Sequence, residues 1–233
     1  MNMTRSYVGN ELQLFAAAQH WKQRLRREIR PFIRGDVLEV GAGIGSTTAI
    51  LRDLAEGSWT CLEPDQAMAE QLHLGALSAI DVKCGTIQDL PVTRLFDTIL
   101  YIDVLEHIRD DSGEVLCATT HLNRSGRLIV VSPAHQWLFS PFDESIGHYR
   151  RYDRSSLAAL GDGTLILDRI RYLDSVGLFA SAANRFILKH SLPSVRQVRF
   201  WDNFLVPLSR FVDPLTGYGV GKSLIAVWRK HVR

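Results

Sequence analysis

Three glycines stand at alternate positions in Glu39-Val40-Gly41-Ala42-Gly43-Ile44-Gly45, between an apolar run and a stretch with helical character. Glycine permits a tight turn and lets a ligand come close to the backbone. The start of a helix adds unpaired N–H groups. A dinucleotide site uses the same physics for a pyrophosphate. Its fingerprint puts a glycine or alanine three residues after the second glycine. Here that position is Ser46, and the glycine comes one residue early at Gly45. Two acids narrow the ligand further. Glu39 precedes the glycines, where it would repel a pyrophosphate and suits a cationic ligand end. Glu63 lies 24 residues later at the end of the next apolar run. There a carboxylate can accept hydrogen bonds from both hydroxyls of a ribose. These residue types and spacings fit a ribonucleoside with a cationic tail and no phosphate.

A second group carries proton chemistry. Histidine can serve as a general base near neutrality without a large shift, and His107, His135 and His148 are the candidates. His148 lies in Gly147-His148-Tyr149-Arg150-Arg151-Tyr152-Asp153, in an irregular stretch dense in aromatic and cationic side chains. His135, Tyr149 and Arg150 read as a substrate wall. Arg150 and Arg151 can grip a carboxylate or phosphate, or pair with Asp143 or Glu144. His107 directly follows a strand, where packing or capping is an alternative use.

These groups need a scaffold, and the apolar pattern supplies one. Val37–Val40, Trp59–Leu62, Ile80–Cys84, Phe96–Ile102 and Arg127–Ser132 read as short buried strands. Ser46–Ala55, Asp65–Leu74 and a stretch reaching Leu122 read as intervening helices. That alternation implies right-handed crossovers and a parallel sheet. The irregular stretch then falls at the carboxyl edge, where ligands bind in open α/β sheets. Residues 11–32 read as one amphipathic helix, with Leu14, Ala18, Trp21, Leu25, Ile29 and Phe32 on one face. Ser155–Leu160 reads as a helix, and Thr164–Tyr172 and Ser223–Trp228 as strands. Two apolar-periodic stretches fill 175–219.

The chain has 233 residues, with 46% hydrophobic and 22% charged, enough for one sizeable α/β core. The net charge of +2 argues for no nucleic-acid or acidic partner. Lys22, Arg24, Arg26, Arg27, Arg30 and Arg34 crowd one N-terminal stretch; a solvated helix face is the plainer reading, and docking to an acidic substrate or a membrane surface is the alternative. Cys61, Cys84 and Cys117 form no close pair, which suits a reducing compartment. With neither a signal-like start nor a membrane-length apolar run, a cytoplasmic location is expected.

The motifs together resemble the class I S-adenosylmethionine-dependent methyltransferases. Val37 to Gly45 resembles the first motif of that family, Leu62-Glu63-Pro64-Asp65 its ribose-binding acid region, and Gly85 to Pro91 the segment flanking the adenine. Phe96 to His107 resembles the fourth motif, under the methyl donor. The resemblance implies a Rossmann-like α/β fold: a seven-stranded, mostly parallel sheet with helices on both faces and its last strand antiparallel. It implies S-adenosylmethionine as cofactor, held by Glu39, Gly41, Gly43, Gly45, Glu63, Pro64, Thr86, Ile87 and Asp103. The expected organisation is one methyltransferase domain over 1–233, with a helical extension at 1–34 and a helical insertion near 175–219. The insertion would serve as a lid, a homodimer surface or a lipid-facing wall. His148 and His107 are the candidate catalytic groups, and transfer to an oxygen of a small organic acceptor is the expected reaction. Transfer to nitrogen or carbon, non-catalytic cofactor binding, and a nucleotide-dependent oxidoreductase are the alternatives. Asp103, Glu106 and His107, with His148, also resemble the cluster of metal-dependent members, with Asp in place of the first Glu, so a metal stays open.

Overall fold

A computed structural model describes residues 11–75, 80–161, 163–183 and 193–231. Seven strands form one sheet: β1 (Val37–Val40), β2 (Trp59–Glu63), β3 (Ile80–Cys84), β4 (Phe96–Ile102), β5 (Leu122–Pro133), β6 (Leu165–Leu173) and β7 (Ser223–Lys230). Their order is β3-β2-β1-β4-β5-β7-β6. β7 runs antiparallel to both β5 and β6, and the other pairs are parallel. The expected Rossmann-like sheet with an antiparallel last strand is therefore present.

The central strands are buried on both faces, which is why they read as unbroken apolar runs. Successive side chains still alternate between two apolar layers. Leu38, Ile99, Tyr101 and Val130 enter one layer, and Val37, Leu100, Ile129 and Val131 the other. β5 begins at Leu122, earlier than the sequence pattern predicts. The predicted helix before it is reduced to α5 (Asp111–Thr120), whose first turn Asp110 caps by accepting Gly113 N–H at 3.0 Å. Between β1 and β2 the helix is also shorter than expected, with α3 at Thr48–Leu51 and a 3-10 turn to Leu54. α4 (Gln66–Leu74) starts as predicted, with Asp65 as its cap.

The N-terminal helix departs from its predicted form. It is two pieces, α1 (Glu11–Ala16) and α2 (Gln19–Ile29). Ala17 and Ala18 carry no side-chain oxygen to cap a new start. The cap comes from Asp202, 182 residues away, which accepts His20 N–H at 3.1 Å and, with its other oxygen, Trp21 N–H at 2.8 Å. The solvated basic face holds for Arg27, Arg30 and Arg34, which are exposed, and is corrected for two others. Lys22 and Arg24 are buried, and Arg24 donates to the fully buried Asp213 at 2.7 Å. Arg26 pairs with Asp53.

The remaining helices are α6 (Pro141–Ser145), α7 (Arg154–Ala159), α8 (Ser175–Ala183), α9 (Val195–Phe200) and α10 (Val206–Leu215). A π turn over Trp201–Leu205 joins α9 to α10 into one rod. Asp202 sits in that turn, so the irregularity places its carboxylate at the start of α2. Part of the 175–219 reading falls on residues 184–192, outside those described. No helix among the described residues is long and apolar enough to cross a membrane.

Replacing Asp202 with Ala leaves two N–H groups of α2 without their partner. The variant is expected to lose about 1–2 kcal/mol of stability in a urea titration, on the scale of a lost helix cap. An unchanged midpoint would show that the cap contributes nothing.

Candidate functional site

The parallel strands end at one edge of the sheet, and the backbone leaves that edge in unusual conformations. Gly41 follows β1 at φ 68° and Gly85 follows β3 at φ 149°. Three positions there lack the freedom of glycine: Asp103 after β4 at φ 54°, His135 after β5 at φ 66° and Asp174 after β6 at φ 66°. Such conformations cost energy and persist only where their surroundings fix them, commonly at functional sites. The carboxyl edge of an open α/β sheet is also where ligands bind.

Around β1 the glycine loop is held by its neighbour strand. Gly41 N–H and Ala42 N–H both donate to the Leu62 carbonyl, at 2.8 and 3.2 Å. A side chain on Gly41 would come within 2.7 Å of Val104, so this turn needs glycine for space as well as for its positive φ. The Glu63 carboxylate accepts Gly43 N–H at 2.7 Å with one oxygen and Asp65 N–H at 2.9 Å with the other. Each oxygen keeps a lone pair. Burial raises the carboxyl pKa, and the two N–H groups pull it back. Leu12 of α1 lies over Gly43. Pro64 follows Glu63 and gives its carbonyl to Cys84 Sγ. Thr86 is fixed by Asp89, and Ile87 is fully buried behind it. Gly45 N–H closes the loop onto the Ala42 carbonyl at 3.0 Å.

Glu39 faces differently from the others. It is buried, and its Oε2 accepts from Thr48 Oγ1 at 2.7 Å and Trp59 Nε1 at 3.0 Å. Burial raises its carboxyl to about 7, against those hydrogen bonds. It ties the end of β1 to the start of α3, which positions the loop between them.

The second group gathers beyond β4 and β5. Asp103 is exposed to solvent at the end of β4, within electrostatic reach of His148, Lys222 and Arg151, which favour its charged form. Glu106 is fully buried. One of its oxygens accepts from Ser132 Oγ at 3.1 Å, and the other has no hydrogen-bond partner among the described residues. Burial, then Asp103, hold its carboxyl well above the usual range. The His107 ring meets the His148 ring edge-on at 4.4 Å. Burial lowers the His107 pKa to about 4. Glu106, His107 and His148 offer ligand atoms within 4.8 Å of one another, a donor set that a divalent cation could use.

Asp143 organises the irregular stretch. It is fully buried on α6 and accepts His148 Nδ1 at 3.0 Å, Arg151 Nε at 2.8 Å and Arg151 NH2 at 3.1 Å. Burial pushes its carboxyl up, but His148 and Arg151 win and hold it at about 2. Of the pairings weighed from sequence, Arg151 with Asp143 is the one that forms. Arg150 instead pairs with Asp111 at 2.7 Å and caps the Arg109 carbonyl. Tyr149 is exposed beside Arg109. His135 stacks on Tyr172 at 4.8 Å, and its Nε2 is buried with no hydrogen-bond partner among the described residues.

Two contributors carried no signal in the sequence. Lys222 immediately precedes β7, and the antiparallel turn of that strand brings it to the same edge. Its ammonium lies 4.0 Å from the Trp201 ring; burial lowers its pKa, while Asp174 and Asp103 raise it. Leu12 lies near the glycine loop only because α1 and α2 separate.

Residues 38–130 match the family model described as a methyltransferase domain. No curated protein matches the sequence. Among solved structures, similarity extends to a chain of the complex between the Haloferax volcanii Trm112 methyltransferase activator and a methyltransferase. That chain has 16% identity, TM-score 0.63, and coverage of 95% of this chain and 92% of that one. The N-methyltransferase NodS of Bradyrhizobium japonicum, in complex with S-adenosyl-L-homocysteine, has 13% identity, TM-score 0.62, and coverage of 96% and 94%. An S-adenosylmethionine-dependent methyltransferase of Clostridium acetobutylicum has 11% identity, TM-score 0.59, and coverage of 95% and 95%. At these identities the likeness is one of fold.

Two groups of the site lose stability on acidification. His107 is depressed in the folded protein, so its contribution is complete above about pH 6.5, the unfolded value, and declines as pH falls toward about 4. Asp143 is also depressed, and its contribution is complete above about pH 4, the unfolded value, and declines toward about 2. The raised carboxyls of Glu39, Glu63 and Glu106 act in the opposite sense, so each contribution is read as the difference between a variant and the wild-type chain. Relative to wild type, the urea midpoint of His107→Gln should fall less between about pH 6.5 and 4, and that of Asp143→Asn less between about pH 4 and 2. A wild-type pH dependence in both variants would contradict the assignment.

Proposed function

We propose that the chain is a class I S-adenosylmethionine-dependent methyltransferase that transfers a methyl group to an oxygen of a small organic acceptor. The observation that carries this reading is the Glu63 carboxylate. It is buried beside Gly43 with a lone pair free on each oxygen, a fit for ribose hydroxyls. Gly41, Gly43 and Gly45 give the ligand access to the backbone, and Pro64, Thr86, Ile87 and Asp103 complete the cofactor wall. Glu39 supports the loop from behind through Thr48 and Trp59. S-adenosylmethionine supplies, when bound, an electrophilic methyl group on a sulfonium.

The residues then have two tasks, alignment and proton removal. His148 Nδ1 faces the ionised Asp143, which favours the tautomer with the proton on Nδ1 and leaves Nε2 as the base. An acceptor hydroxyl would lose its proton to Nε2 as the new O–C bond forms and the S–C bond breaks. Asp143 would then stabilise the protonated ring. Arg151 shares Asp143 and keeps the carboxylate charged. His107 packs against His148 as a neutral ring and limits its rotation. His135 and Tyr149 would line the acceptor side, with Arg150 behind Tyr149. Cys61, Cys84 and Cys117 are free thiols, in keeping with a cytoplasmic enzyme of small-molecule metabolism.

Glu63→Ala should weaken S-adenosylhomocysteine binding by about tenfold to a hundredfold in calorimetry, the scale of hydrogen bonds to a charged group. Undiminished affinity would remove Glu63 from the cofactor site. With an acceptor found by screening for adenosylhomocysteine release, His148→Ala should lower turnover by about a hundredfold, with cofactor affinity retained. Normal turnover would remove His148 from the mechanism. A rate independent of pH between about 5 and 8 would favour an acceptor that needs no base.

A further inference from the structure

The rod formed by α9, the π turn and α10 is inverted relative to an ordinary surface helix. Its inward side includes Asp202, Ser209 and Asp213, all buried. Asp202 caps α2, Ser209 Oγ donates to Asp174 at 2.7 Å, and Asp213 holds Arg24 and the N–H groups of Asp174 and Ser175. The outward side carries Phe200, Phe204, Leu208, Phe211 and Leu215 in one row, each at least 50% exposed. A row this long of large apolar groups at helical spacing is far from the scattered exposure of an ordinary surface. The polar anchors fix which side faces out, so the row cannot turn inward without breaking them.

The exposed charges on the rod share one sign. Arg196, Arg199 and Arg210 are exposed on the rod, and its acids, Asp202 and Asp213, are both buried. On α2, the exposed Arg27 lies close enough to Arg210 for their charges to interact. Aromatic and leucine side chains flanked by arginines form the pattern of a helix that lies in a membrane interface. A twofold pairing of this face with a second copy would set the same arginines of both chains near one another, with no exposed acid on the rod to answer them. An anionic lipid surface answers both features: acyl chains take the apolar row and headgroups take the guanidiniums.

We propose that the outward face of α9 to α10 is a docking surface for anionic phospholipid membranes, bound peripherally through Phe200, Phe204, Leu208, Phe211 and Leu215 with Arg196 and Arg210 at its rim. The test is flotation of the full chain with vesicles of phosphatidylcholine alone or with about 30 mol % phosphatidylglycerol, in low salt and in about 0.5 M NaCl. Binding to the anionic vesicles should exceed that to neutral ones by about tenfold or more and weaken in high salt. Phe204→Asp with Phe211→Asp should abolish it, and Arg196→Glu with Arg210→Glu should reduce it to the neutral-vesicle level. These side chains are exposed, so thermal unfolding by circular dichroism should be unchanged in both variants. Failure of the wild-type chain to float with anionic vesicles overturns the proposal. So does flotation of the phenylalanine variant equal to wild type. A dimer by light scattering that the phenylalanine variant dissolves, without vesicle binding, overturns it in favour of a second copy.

Discussion

One carboxylate joins the two strand ends on which the site is built. β1 and β2 lie side by side, and the loop that leaves β1 carries three glycines at positive φ. Glu63 sits at the end of β2 and accepts an N–H from Gly43 on one side and Asp65 on the other. The glycine loop therefore keeps its shape through a neighbour's side chain, with Glu39 bracing it against Trp59 and Thr48. Both acids are buried, and burial alone would make their charges costly. The N–H and O–H groups that offset this cost are the same ones that fix the loop.

The same logic repeats along the carboxyl edge. Asp103, His135 and Asp174 leave their strands with positive φ, and each is locked by contacts from another element. Asp103 N–H donates to the Val131 carbonyl, His135 stacks on Tyr172, and Asp174 is held by Trp201, Ser209 and Gly177. Asp143 does for the irregular stretch what Glu63 does for the glycine loop. It draws Ser140, His148 and Arg151 to one point, and so places the His148 ring without a helix or strand beneath it.

What the sequence disclosed follows from the range of the forces involved. The central strands were legible because burial on both faces leaves continuous apolar runs, and all seven strands overlap their predicted positions, with β5 starting earlier at Leu122. The glycine loop was legible because its positive φ angles demand one residue type. The break in the first helix was not, because its cap, Asp202, lies 182 positions away. The basic residues of that helix misled for a similar reason: Arg24 finds Asp213 across 189 positions. Residues 133–153 showed no period because side-chain hydrogen bonds to Asp143 set their path. Lys222 was invisible because only the antiparallel insertion of β7 brings it to the edge.

The central claim is that the edge beside Glu63 receives a ribonucleoside with a cationic end and no phosphate. Parallel calorimetric titrations of the purified chain with S-adenosylhomocysteine and with NAD test it most directly. The expected result is saturable binding of S-adenosylhomocysteine at one site per chain, with no heat from NAD under the same conditions. Tight binding of NAD, with S-adenosylhomocysteine silent, would contradict it.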